Sequence, residues 1–100
     1  MCDKGESTLI DVGKFDELYM KLWKAKGRNH QLAVAIEELS ELQKELTKLL
    51  RGRKDLSNVE EEWADVFIVL GQLLNCLLLD TDAINMHIEH KIKRIEVKEL

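Results

Sequence analysis

The sequence predicts an all-α fold, a bundle of four helices. Three observations point to it. The 100 residues contain no proline and only five glycines, so little interrupts a helix. Apolar residues recur at helical spacing along most of the chain. The alternation expected of strands is absent, and only 5% of residues are aromatic, which disfavours a sandwich or barrel.

Met1 to Gly13 read as a loose lead-in. The first helix is expected from about Lys14 to Lys26, where Phe15, Leu18, Tyr19, Leu22 and Trp23 form one stripe. Gly27 ends it, with Lys24 and Lys26 in the last turn. Asn29 is a good N-cap for a second helix reaching about Leu50. Its stripe is Leu32, Ala35, Ile36, Leu39, Gln43, Leu46 and Leu50. Arg51-Gly52-Arg53-Lys54-Asp55 is a turn. Ser57-Asn58-Val59-Glu60 has capping-box spacing and opens a third helix to about Leu79. Val59, Trp63, Val66 and Leu70 are its first stripe. Its second half, from Leu70 to Leu79, is apolar nearly all round. Such a helix needs burial on every side, which predicts a dimer or larger assembly packed through it. Asp80-Thr81-Asp82 caps a fourth helix to about Val97, with a stripe of Ile84, Ile88, Ile92 and Ile95.

One domain, 1–100, accounts for this length. Hydrophobic residues at 45% and charged residues at 34% exclude a disordered chain. A net charge of −4 offers nothing to nucleic acid. The apolar run Val66–Leu79 is broken by Gly71, Gln72 and Asn75, and falls short of the 18–20 residues or so of a membrane span. No signal peptide is expected, since the first twenty residues lack an apolar region. Cys2 and Cys76 form neither a disulfide framework nor a metal knuckle, which fits a reducing cytoplasmic setting.

The chemistry is concentrated in acidic residues. The second helix carries Glu37-Glu38-x-x-Glu41, with Glu45 a turn later; the third opens with Glu60-Glu61-Glu62 and Asp65. The bland reading is a solvated face, with Lys44 and Lys48 pairing Glu41 and Glu45. Placement argues for more. Glu62 falls inside the third helix's apolar stripe, about 60° from its centre, and Asp65 lies at its edge. A carboxylate aimed at a core is costly unless it is paired or binds a metal. Glu38 with Glu41 and Glu62 with Asp65 are therefore two carboxylate pairs at i, i+3. A short turn brings the two helices together antiparallel, so the pairs can face each other. Four converging carboxylates repel, and a divalent cation relieves this. Oxygen-only donors favour Mg²⁺ or Mn²⁺ over Zn²⁺, and Mg²⁺ held by few carboxylates keeps positions open for phosphate oxygens.

Glu37-Glu38-Leu39-Ser40-Glu41, twenty intervening residues, then Glu62-Trp63-Ala64-Asp65 resembles the E-E-x-x-E … E-x-x-D signature of the MazG-like nucleoside triphosphate pyrophosphohydrolases. Gln31-Leu32 upstream and Val66 downstream resemble the family's context, and the resemblance runs from Gly27 to Arg94. It implies an α-helical bundle assembled as a dimer or tetramer. It implies Mg²⁺-dependent hydrolysis of (deoxy)nucleoside triphosphates to monophosphate and pyrophosphate, as nucleotide-pool house-cleaning. Glu38, Glu41, Glu62 and Asp65 would be metal ligands, with Glu37 and Glu38 in catalysis. Lys91-Ile92-Lys93-Arg94 looks like the family's K-x-x-R element, which makes Lys91 and Arg94 candidates for phosphate. Asn85 is a nucleotide-binding candidate by the same resemblance.

Other residues carry weaker signals. His30, at the start of the acidic helix, is a candidate to stack on a base. Trp23 and Trp63 fall on stripes and read as core. His87 and His90 read as a solvent-facing pair, and neither cysteine has a partner that would activate it. The related phosphoribosyl-ATP pyrophosphohydrolases usually have a tyrosine-histidine pair where this chain has Phe67-Ile68. A non-enzymatic dimeric helical module explains the apolar third helix but not Glu62. A di-iron bundle wants E-x-x-H pairs, which both acidic helices lack.

Overall fold

A computed structural model describes residues 8–100. The described residues are all-helical, without strands. A short 3-10 helix, Val12–Phe15, leads into α1 (Asp16–Lys26), followed by α2 (Arg28–Leu50), α3 (Ser57–Cys76) and α4 (Thr81–Lys98).

The joints explain the bounds. Gly27 alone separates α1 from α2, at φ 90° and ψ 158°, a conformation open to glycine. It takes the N-cap position of α2, so Asn29 lies inside the helix and does not cap it. Gly52 ends α2 at φ 101°. The N–H of Arg53 donates to the carbonyl of Lys48 and that of Gly52 to Leu49, a Schellman turn. The expected capping box of α3 does not form, because the helix starts one residue earlier than that box requires. Ser57 is already helical, and its N–H donates to the Asp55 carboxylate at 2.9 Å. Asp80 caps α4 as expected, accepting from the N–H groups of Asp82 and Ala83.

α3 stops at Cys76 rather than Leu79. Its end repeats the Schellman pattern: Leu79 N–H donates to Leu74 and Leu78 N–H to Asn75. Here the left-handed position is held by Leu78, at φ 54°. A leucine in this region costs about 1–2 kcal/mol.

α2 and α3 form the main packed pair, and α1 lies across them. Glu38 meets Asp65 at comparable distances from the turn, so the pair is an antiparallel hairpin. The core is small: Tyr19, Ala35, Val66 and Val69, with Gln31 beside them. The lead-in is not free over its described part. A Cβ on Gly71 of α3 would lie 2.9 Å from Val12 Cγ2, so glycine lets the 3-10 helix approach α3.

The stripes read from sequence pack only in part: Tyr19, Ala35 and Val66 reach the core, while much of each stripe stays exposed. α2 turns Gln31, Ala35, Glu38, Leu42, Glu45 and Leu49 inward and leaves Ile36, Leu39, Leu46 and Leu50 exposed. α3 packs through Val66 and Val69, while Leu70 and Leu74 are exposed and Trp63, expected in the core, is 43% exposed. The bundle expected of four helices has three within this chain: α4 makes no more than a marginal contact with any of them. The chain exposes 8553 Å², whereas a compact monomer of this size exposes about 5,800 Å². Its radius of gyration is 16.2 Å, against about 13 Å for a compact chain. No described helix is long and apolar enough to cross a membrane.

Candidate metal centre

The α2–α3 hairpin brings Glu38, Glu62 and Asp65 together. One carboxylate oxygen of each lies within 4.8 Å of the others. The register explains this. Glu38 shares the inward ridge of α2 with Ala35 and Leu42. Glu62 and Asp65 flank Val66 and Val69, which face α2. All three carboxylates are half-buried.

The electrostatics are unrelieved. Loss of water raises the Glu38 carboxyl above its ordinary value, and a hydrogen bond with Asp65 and the charges of Asp65, Glu62 and Glu37 raise it further. Glu62 is raised by desolvation first, then by Asp65, Glu41, Glu61 and Glu45. Among the described residues no lysine or arginine pairs with any of the three. Oxygen-only donors, converging and without a counter-charge, fit a hard divalent cation.

Glu41, expected as the fourth ligand, stands outside the group. Its carboxylate pairs with Lys44 at 3.3 Å, as Glu45 does with Lys48 at 2.8 Å. Both are the i, i+3 pairs that the sequence offers; the Lys44–Glu41 pair is exposed and holds weakly. Glu37 is exposed beside Glu38 and adds to its repulsion.

An open cleft of about 300 Å³ adjoins Glu38 and Asp65. His30 lines it, with its Nδ1 against the Gln31 side chain at 3.0 Å. Lys26 and Gln72 also line it and were not expected from the sequence. Lys26 shows only as a helix-ending lysine, and Gln72 only as a polar break in an apolar run.

Lys91, Arg94 and Asn85 are on α4, and none lines this cleft. Lys91 and Arg94 instead form a shallow basic concavity with His87, His90 and Lys93. Trp63 and Phe67 stack with centroids 5.2 Å apart. Burial pushes the Cys76 thiol up, which keeps it unreactive.

Compared with protein-family models, curated proteins and solved structures, the chain matches none. The resemblance to MazG-like enzymes rests on the motif residues alone.

Proposed function

We propose that the protein is a cytoplasmic, divalent-cation-dependent hydrolase that cleaves (deoxy)nucleoside triphosphates to monophosphate and pyrophosphate. The observation that carries this reading is the convergence of Glu38, Glu62 and Asp65 without a cationic partner among the described residues. A structural hairpin gains nothing from three facing carboxylates. A phosphate-handling centre needs them. The motif resemblance names the reaction.

Glu38, Glu62 and Asp65 would hold Mg²⁺, with Mn²⁺ a substitute, and Glu41 would join them on leaving Lys44. A bound cation would neutralise charge on the triphosphate and lower the pKa of the attacking water. Glu37 orients the attacking water and Glu38 takes its proton. The water oxygen bonds to the α-phosphorus, the bond to the α–β bridging oxygen breaks, and pyrophosphate leaves with that electron pair. The uncovered apolar ridges of α2 and α3 support a homodimer or homotetramer.

Phosphorus NMR of purified protein with each nucleotide and Mg²⁺ tests the proposal. Pyrophosphate and monophosphate should appear, and should vanish with Glu38→Gln. Turnover of phosphoribosyl-ATP alone would move the chain to that related reaction. A folded protein indifferent to Mg²⁺ and to every nucleotide would make it a non-enzymatic helical module.

A further inference from the structure

The cleft beside the carboxylates runs away from them along both helices. Gln31 stands seven residues before Glu38 on α2, and Gln72 seven after Asp65 on α3. The two helices are antiparallel, so both glutamines lie at the same end of the cleft, about 10 Å from the acidic group at 1.5 Å of rise per residue. His30 joins them there, and α1 adds Lys26 from its last turn. Val34, Ile68 and Val69 give the cleft apolar walls. Apolar walls with a few polar groups gathered at one end suit a flat ring whose edge is read by hydrogen bonds.

The polar end has a definite sense. Gln31 is only 5% exposed, and its Oε1 accepts from Nδ1 of His30 at 3.0 Å. That bond occupies the carboxamide's acceptor and leaves its N–H donors, which no described residue takes. A buried amide with free donors on a cleft wall calls for a ligand that accepts. Lys26 has donors only, and among the described residues no carboxylate pairs with it. Gln72, half-buried, can donate or accept. A carbonyl oxygen on the ring satisfies Lys26 and Gln31. An amino group in the same place sets donor against donor, and both sides then lose water without return.

We infer that this end of the cleft reads the base of the nucleotide, and that Lys26 selects bases carrying a carbonyl oxygen where cytosine and adenine carry an amino group. Uracil, thymine, guanine and hypoxanthine are of this kind. The inference deepens the hydrolase reading and rests on it. The phosphates belong at the opposite end, with the cation that the carboxylates would hold, and the spacing between the two ends leaves room for the sugar. His30 acts through Gln31, as a positioning residue that fixes which way the carboxamide faces.

Two substrate pairs test this: dUTP against dCTP, and dITP against dATP. The members of each pair differ only by the carbonyl and the adjoining ring N–H. With Mg²⁺, the carbonyl member of each pair should show a kcat/KM higher by about tenfold or more, the scale of one hydrogen bond to a charged donor. Lys26→Met keeps the apolar stem and removes the ammonium. It should bring each pair within about twofold by lowering the carbonyl member alone, and leave the Mg²⁺-induced rise in melting temperature as in wild type. Equal rates within each pair for the wild type overturn the inference. So does a preference that survives Lys26→Met. A loss shared equally by all four nucleotides would place Lys26 on the phosphates and overturn it too. If the wild type hydrolyses no nucleotide, the hydrolase reading falls, and titration calorimetry of the same four nucleotides with Mg²⁺ decides the base reading. The same preference in affinity upholds it; equal affinities, or no binding, overturn it.

Discussion

Glu38 of α2 and Asp65 of α3 bring carboxylate oxygens within 4.8 Å of each other across the hairpin. Two carboxylates so close repel, and a proton on one of them relieves the repulsion. The folded chain therefore protonates Glu38 more readily than the unfolded chain does.

The sign of the pH dependence follows. Glu38 and Glu62 titrate above their ordinary value of 4.5 in the folded state. Between that value and the raised one, the folded state binds more protons, so stability falls as pH rises through the window. The melting temperature of the metal-free protein should rise as pH is lowered from above the raised values toward the ordinary one. Glu38→Gln should flatten this slope; an unchanged slope in that variant would place its origin elsewhere.

Glu38→Gln should also separate stability from function. It removes the most crowded charge, so the metal-free variant should melt higher than wild type. Hydrolysis should fall by about a hundredfold or more, on the scale of losing a preorganised electrostatic partner. Mg²⁺ should raise the wild-type melting temperature and leave the variant's unchanged, since only a ligand that prefers the folded state stabilises it. Calorimetry with and without Mg²⁺ reads both effects.

Lys44 competes for Glu41. The exposed pair between them is worth about 0.2–1 kcal/mol, so Lys44→Ala should tighten Mg²⁺ binding by up to about fivefold. Titration calorimetry would show it. Weaker binding in the variant would mean that Glu41 takes no part in the site.

Gly52 and Leu78 hold the same left-handed position at two helix ends, and only one suits it. Leu78 is 86% exposed, so its side chain gains little from packing within the chain. Leu78→Gly should stabilise the protein by about 1 kcal/mol, and Gly52→Ala should destabilise it by a similar amount. Urea denaturation of the two variants checks the pair.

Gly71 is the contact point of the lead-in. Gly71→Leu should push Val12 off α3 and cost about 1–3 kcal/mol. Val12→Ala should recover part of it, read as a coupling in a double-mutant cycle. Strict additivity would mean that the two positions do not touch.

The helices were legible in the sequence because periodicity and missing proline act locally. The capping residue of α4 was legible for the same reason. The facing sides were legible only in part. The α2 stripe contains Ala35, which is buried, yet its Ile36, Leu39, Leu46 and Leu50 stay exposed and the chain packs the neighbouring ridge containing Glu38 and Glu45. Hydrophobicity marks which face is buried somewhere, without marking where. Glu62 and Asp65 could be placed together from their spacing, and their meeting with Glu38 followed from a short turn. Glu41 was out of reach of that argument, because its choice between Lys44 and the cluster is a side-chain rotation. The isolation of α4 was likewise invisible, since its stripe looks like that of any bundle helix.

The connection from α3 to α4 runs only from Leu77 to Asp80. Two to five residues suffice to fold one helix back on another, so length does not keep α4 from its own chain. Backbone shape does: Leu78 is left-handed, and Asp80 is extended at ψ 106°. A few torsions at one turn therefore separate the open arrangement of this chain from a closed hairpin in which α4 packs on its own α3. A few glycines and serines inserted after Leu78 would release that choice. The isoleucine ridge of α4 could then find cover on its own chain.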